Sequence, residues 1–444
     1  MKTRAASVAL ALLGVINMPA ILPAGVSESF GTPSVRREFI AQAAGWLAGQ
    51  PAKKNFSDPR LDAMVTLREK GGTLFDNVAE VLRKKYYDER FRKEELPKLV
   101  SGYREKAARA TTLQEQREVV QEFLSHIPAS HCGLLSRQTF RYVMYDLQGR
   151  PYPTFGFQVI DIKGKFYTFW LLEGGPALRA GLLAWDRIVS IDGVPVEQSA
   201  RLDWRSDDAY IQDDRDPPVH YLKAEKGETI RLKVERKPGK FVTLSVASED
   251  YSAFAAAKAS AQIYPSEGRS FGYLHFWYVH MTGVPELLKE KLEGEFSNCD
   301  GIIIDLRGRG GNGLAVAKIV EILRAEREKR NRPIVALVDR QSRSAKDVLA
   351  YEFKKNRIAR LVGERSAGAV IPATFADVGH DTMLMFPSFK LTVYTDLLEF
   401  KPVSPDLFVE RSGPLSAGKD TILEAGLAEA LRLAKASAKQ AGAN

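Results

Sequence analysis

Ser344 lies in the segment Val338-Asp339-Arg340-Gln341-Ser342-Arg343-Ser344-Ala345-Lys346-Asp347, between an apolar run that reads as a strand and a helical pattern from Ala345 to Phe353. A serine at a strand-to-helix turn can expose its hydroxyl for nucleophilic attack, and the amide after it projects from a helix N-terminus, where negative charge is stabilised. The same residues fit a plainer description, because Ser344-x-x-Asp347 has the spacing of a capping box. A second segment, Asp305 to Gly313, is rich in glycine but lacks the Gly-Lys-Ser/Thr ending of a triphosphate loop and the spacing of a dinucleotide fingerprint. Its glycines offer instead a backbone that turns sharply and presents bare N–H groups, donors of the kind that stabilise an oxyanion. Cys132, beside His131, is a weaker nucleophile candidate than Ser344.

The elements that must position these residues fall into three regions. Residues 28–150 read as a helical N-terminal domain, with apolar residues at three- and four-residue spacing in Leu74 to Lys85 and Thr112 to His126. Residues 151–250 change to short β-rich runs around Gly174 to Val196, where Pro176-Ala177 opens a short helix, Gly181 ends it and Asp192-Gly193 makes a turn. This stretch resembles a PDZ domain, with Trp185 standing where that family usually has glycine. The resemblance implies a peptide groove lined by Gly156, Phe157, Gln158 and Val159, used by adding a strand to a sheet edge. Residues 251–436 carry buried-strand patterns, Gly272-Tyr273-Leu274, Gly301 to Asp305, Pro333 to Val338 and Ala359 to Val362, separated by helical runs. The fold class expected is therefore α/β, in an α+β multidomain arrangement, with a flexible tail over 437–444.

Taken in order along the chain, these segments resemble the C-terminal processing peptidases and the related tricorn-type serine peptidases. The segments are Ser130-His131, the PDZ-like insert, Gly272-Tyr273-Leu274, Asp305 to Gly311, Ser342 to Asp347, Val362-Gly363-Glu364 and Val403-Ser404-Pro405-Asp406. The resemblance implies Ser344 as nucleophile, and the N–H groups of Gly311 and Ala345 as the oxyanion hole.

The sequence departs from that family at the base. Processing peptidases place a lysine 25 residues past the nucleophile, where this chain has Ala369, which has no proton acceptor. Lys346 sits about 200° round the helix from Ser344, and Lys354 and Lys355 lie roughly 15 Å along it, so none substitutes by position. Histidine, with an ordinary pKa near 6.5, is the natural alternative. Of six histidines, His131 stands where tricorn-type relatives carry a histidine base preceded by a participating serine, here Ser130. Glu399 stands where those relatives carry a carboxylate, although Phe400 and Pro402 replace glycines usual around it. The expectation is an acyl-enzyme endopeptidase; the alternative is a catalytically inactive peptide-binding protein on the same scaffold.

Composition narrows the partners. A net charge of +9 comes from 64 basic and 55 acidic residues, interspersed and without a nucleic-acid motif, so peptide or unfolded protein is the expected partner rather than nucleic acid. Residues 1–27 have a basic start and an uncharged apolar run, which reads as an export signal to a periplasmic or extracellular location. A retained membrane anchor, with peripheral membrane contact, is the alternative. Two cysteines, Cys132 and Cys299, make no metal site and at most one disulfide. The proposed chemistry needs no metal or organic cofactor.

Overall fold

The computed structural model describes residues 72–204, 207–208, 218–280, 283–390 and 392–441, so the expected signal at 1–27 lies outside the described residues. Four helices come first: α1 (Leu74–Lys85), α2 (Glu89–Glu94), α3 (Leu96–Arg109) and α4 (Leu113–Ser125). Thr73, Asp88 and Thr112 begin α1, α2 and α4 by accepting amide hydrogen bonds, and Glu115 completes a capping box with Thr112. The apolar stripes of α1 (Leu74, Val78, Leu82) and α4 (Val120, Phe123, Leu124) meet in one core. Strand β1 (Gly133–Ser136) and helix α5 (Arg137–Gln148) follow.

The insert contains β2 (Tyr152–Thr154), β3 (Gln158–Ile162), β4 (Lys165–Phe169), the short α6 (Pro176–Arg179), β5 (Arg187–Ile191), β6 (Val194–Pro195), β7 (Asp207–Asp208), β8 (Val219–His220), β9 (Thr229–Lys237), β10 (Lys240–Ala247) and β11 (Glu249–Tyr251). Five of these align as β10-β9-β5-β4-β3, and β8 adds itself to the outer side of β3. Asp192 and Gly193 both take positive φ, at 53° and 82°, which is the turn that lets β5 and β6 form a two-residue hairpin. The chain enters and leaves the insert through one paired neck, with Tyr152 opposite Tyr251 and Thr154 opposite Glu249.

The last region runs α7 (Ala253–Ser260), β12 (Gln262–Ser266), β13 (Arg269–His275), α8 (Val284–Glu293), β14 (Gly301–Asp305), α9 (Leu314–Arg330), β15 (Ile334–Val338), α10 (Ala345–Lys355), β16 (Arg360–Gly363), β17 (Ala373–Asp377), β18 (Thr382–Pro387), α11 (Thr392–Leu398), β19 (Leu407–Phe408) and α12 (Thr421–Ala441). A six-stranded sheet has the order β12-β13-β14-β15-β16-β19 and is parallel from β13 onward. The central strands β14 and β15 are buried along their whole length and almost wholly apolar, because both faces are covered. Ile302, Ile304, Ala336 and Val338 pack against Leu288 of α8, Ile319 of α9 and Leu349 of α10. Ile303, Val335 and Leu337 face Ile422, Ala430 and Leu431 of α12 on the other side. The helix from Leu314 extends to Arg330, past the Arg324 expected from its pattern.

A second sheet, β17-β18-β1-β7, joins residues from before the insert to residues from after Ser344, pairing Gly133 with Met385 and Ser136 with Thr382. The Ser130-His131 segment is thereby carried to the side of the main sheet where β17 and β18 leave it. Cys132 and Cys299 are both buried and are not joined in a disulfide. Among the described residues no helix is long and apolar enough to cross a membrane.

Candidate active site

The carboxyl ends of parallel strands leave a crevice where ligands bind in open α/β sheets. Strand β15 ends there at Val338, and α10 begins at Ala345. Between them Ser344 takes φ 58° and ψ −120°. An ordinary N-cap residue is extended; Ser344 instead occupies a region that costs a side-chain-bearing residue about 1–3 kcal/mol and persists only where its surroundings enforce it. Those surroundings are specific. The Ser344 N–H donates to Ala369 O at 2.8 Å and to Asp347 Oδ2 at 3.0 Å. Asp347 also accepts from the amides of Gly368 (2.9 Å) and Ala369 (3.1 Å), and burial pushes its carboxyl up to about 6. The capping-box spacing thus has a structural role, in which Asp347 ties the loop 368–369 to the serine turn. The turn is held from below by Ser342, whose hydroxyl donates to Leu306 O at 2.8 Å.

The glycine-rich loop comes close enough to Ser344 to explain its composition. A Cβ on Gly310 would lie 2.6 Å from Ser344 Cβ and 2.7 Å from Arg343 O. Gly311 has φ +145°, and a Cβ there would stand 2.4 Å from the Val279 backbone. Gly311 forms a parallel bridge with Val279: Val279 N–H donates to Gly310 O at 3.0 Å, and Asn312 N–H donates to Val279 O at 2.6 Å. In that pattern the N–H of Gly311 itself points away from Val279. Neither it nor the N–H of Ala345, an orphan donor of the first helical turn, has a hydrogen-bond acceptor among the described residues. The two donors flank Ser344 along the chain and across the loop contact.

Ser130 is buried, His131 is half-buried with φ 54°, and Ser130 Oγ lies 2.9 Å from His131 Nδ1. Glu399 Oε1 accepts the Ser130 N–H at 2.8 Å, and Oε2 accepts those of Val370 (2.9 Å) and Ile371 (3.0 Å). The Ser130-His131 segment and the Ser344 turn are therefore fastened to opposite sides of one loop, 367–371. Ala369 faces the turn with its carbonyl, and Val370 faces Glu399 with its amide. No hydrogen bond joins the Ser344 hydroxyl to an imidazole among the described residues. Glu399, expected to orient the imidazole, has its hydrogen bonds on backbone amides, and the atom at Nδ1 is the hydroxyl of Ser130.

Beneath the site lies a group of buried charges that sequence reasoning did not find. Asp305 is fully buried; burial opposes its ionisation, but the Arg307 guanidinium and His275 hold its carboxyl well below the usual range. Arg307 continues to Asp420 with bonds of 2.7 and 2.8 Å. His275 Nδ1 lies 3.0 Å from Glu173 and Nε2 lies 3.2 Å from Arg307 O. Burial works against charge on that ring, yet Asp305 and Glu173 raise its pKa, and acceptors at both nitrogens suit the imidazolium. Trp277 Nε1 donates to the other oxygen of Glu173. Lys346, set aside by position, has no exposed surface. The signal available in the sequence was only a lysine in the first turn of the helix, between Ala345 and Asp347.

Of the expected groove residues Gly156, Phe157, Gln158 and Val159, only Val159 lies in the pairing of β3 with β8. Val159 pairs with His220 and Ile160 with Val219, so β8 already takes the outer hydrogen-bonding edge of β3 at these positions. Strand addition needs unpaired N–H and C=O groups, and along Val159–Ile160 the chain supplies the pairing itself. Gly156 turns with φ +78° against Pro176. Phe157 and Gln158 line a cavity with Tyr142, Asp146, Tyr152 and Tyr221. Trp185, the departure from the PDZ pattern, adopts φ 68° and packs with Phe169.

Residues 317–409 match peptidase family S41. The carboxy-terminal processing protease CtpB of Bacillus subtilis is 23% identical over 328 residues, covering 67% of this chain and 64% of that protein. A carboxyl-terminal-processing protease of a Picosynechococcus species is 23% identical over 283 residues, covering 58% of this chain and 64% of the relative. The chain thus spans just under two thirds of the length of these relatives. Among solved structures, a photosystem II D1 C-terminal processing protease aligns at TM-score 0.45 with 17% identity, covering 76% of this chain and 92% of that one. The tricorn protease aligns at 0.42 with 19% identity, covering 81% and 36%.

Proposed function

We propose, from the premise that the chain belongs to the C-terminal processing peptidase family, that it is a serine endopeptidase acting through an acyl-enzyme at Ser344 with His131 as general base. Its substrates in this reading are extended peptides or the C-terminal regions of unfolded proteins. Ser344 Oγ attacks the scissile carbonyl carbon while His131 Nε2 takes the hydroxyl proton. The carbonyl oxygen becomes an oxyanion held by the N–H groups of Gly311 and Ala345. His131 then returns the proton to the leaving amine, and water, deprotonated by the same ring, releases the acyl group.

For Nε2 to accept, the proton of the neutral ring must be on Nδ1, donated to Ser130 Oγ. Ser130 is therefore the orienting partner of the base. Glu399 works one step behind, fixing the backbone of Ser130 and of the loop 370–371. No lysine is needed at Ala369, whose carbonyl holds the Ser344 amide instead. Residues 1–27 complete the reading as an export signal.

The observation that carries this reading is the backbone of Ser344, a strained conformation at a strand-to-helix turn with a glycine loop pressed against its Cβ. Ser344→Ala is expected to abolish both peptide hydrolysis and labelling by a serine-directed fluorophosphonate while leaving the melting temperature within about 2 °C. Hydrolysis equal to wild type would overturn the reading. Two observations favour a non-catalytic peptide binder instead: Ala369 replaces the family's lysine, and among the described residues no imidazole bonds the Ser344 hydroxyl directly. Unmeasurable hydrolysis by wild type, together with peptide binding, would establish that second reading.

A further inference from the structure

The helix that begins at the nucleophile sends a buried lysine into the roots of the two segments that seat Gly311. Lys346 is fully buried, and its Nζ donates to Arg307 O at 2.7 Å and to Trp277 O at 3.2 Å. Arg307 stands four residues before Gly311 on the glycine-rich loop, and Trp277 stands two residues before Val279, the bridge partner of Gly311. The same ammonium thus spans the gap between the two segments just upstream of the point where they bridge. The second donor on Arg307 O is the His275 ring, itself held by Glu173.

We propose that Lys346 is a positioning residue for the oxyanion hole, setting the Gly311 N–H relative to Ser344 by anchoring both supporting segments to the helix that starts at the nucleophile. This rests on the peptidase reading above. Lys346 touches no substrate atom in this role. Without the ammonium, Trp277 O loses the donor that Lys346 supplies, Arg307 O is left to the His275 ring, and the direct tie from α10 to the root of the 307–311 loop is lost. A long, buried cation is a costly way to fill a helix face. Its burial lowers its pKa to about 7 against the attraction of Asp305 and Asp339, so its retention calls for a return that an apolar side chain would not give.

The test compares Lys346→Met, which keeps length and removes the donors, with wild type on a peptide substrate and on a peptide aldehyde that forms a tetrahedral adduct with the serine. The expected result is a kcat reduced about 10- to 100-fold, below the loss for removing a whole oxyanion donor. KM should stay within about twofold, and aldehyde affinity should weaken by the same factor as kcat. Lys346→Gln, which keeps one donor, should recover part of both, and it serves as the readout where the methionine variant does not fold.

A rise in KM at unchanged kcat, or a fall in kcat with aldehyde affinity unchanged, would overturn the proposal. A loss as complete as that of Ser344→Ala would also overturn it, by making Lys346 the proton acceptor. Retained hydrolysis in Ser344→Ala would remove the peptidase reading itself, whereas full activity of the Lys346 variants beside a dead Ser344→Ala would remove only this inference.

Discussion

Two strand ends in this protein face the same problem and resolve it in opposite ways. At the end of β15, helix α10 and the glycine loop leave two amide donors, those of Gly311 and Ala345, without an acceptor among the described residues. On the outer edge of β3, the donors and acceptors that could take an added peptide are filled by β8, at Val159 and Ile160. The first region spends strain and buried charge to keep backbone groups available; the second closes them with the chain's own backbone. Both would be described from composition as peptide-binding features, and only the pairing distinguishes them. Availability of backbone hydrogen-bonding groups, rather than likeness of sequence, decides where a peptide can dock.

The comparison can be broken most sharply at the base. His131→Ala should lower kcat about 10³-fold or more, with fluorophosphonate labelling of Ser344 slowed in parallel; hydrolysis at the wild-type rate would show that the open donors serve some other base. Next in size is Gly310→Ala, whose new methyl must push the loop away from Ser344. A kcat about 100-fold lower at unaltered melting temperature is expected, and an unchanged kcat would mean that the loop's approach has no catalytic meaning.

A smaller effect reports on the closed edge. Val219 is buried against Ile160 and Tyr167, so Val219→Asp should undock β8 and expose β3. Fluorescence anisotropy with a labelled C-terminal peptide should then show binding tightened about tenfold. Equal binding by wild type would mean that the pairing does not close the edge.

The smallest prediction concerns stability. The carboxyl of Asp347 is raised to about 6 by burial, so its protonated form favours the fold below its unfolded value near 3.8, and that contribution fades as pH rises through about 6. Asp347→Asn keeps an acceptor for the Ser344 amide and cannot ionise. The melting temperature of wild type relative to this variant should fall by a few degrees, about 4–8 °C, between pH 4 and pH 6.5. A constant difference would place the titration elsewhere.

Much of the scaffold was legible because it is written in local periodicity. The strand at Gly301–Asp305 and the helix at Leu74–Lys85 fall where the apolar patterns put them, since each pattern matches a face that must be buried. The Ser344 turn was half legible: its strand and helix flanks could be read, but a capping box and a nucleophile turn share the same letters and differ in φ. The 131–399 relation was not legible from periodicity at all. It depends on β1 pairing across the insert to β18 and on a bond from Ser130 to Glu399, 269 residues apart. The contacts of Lys346 were not legible for a related reason. Counting degrees round a helix shows that Lys346 points away from the Ser344 hydroxyl, but not that the interior it enters holds the carbonyls of Arg307 and Trp277 within its reach.

The neck formed by β2 and β11 has a consequence for how such a chain changes over generations. Thr154 and Glu249 are partners in one two-stranded ladder, so the polypeptide leaves the α/β body and returns to it at a single point. A deletion that joins these two positions with a short turn would preserve the covalent path through β1, β17 and β18 while removing β7, the insert strand paired with β1. An exchange at the same seam would graft a different module onto the α/β body. Loss of the insert is thereby a one-step genetic event, with its boundary set by a ladder of three residue pairs.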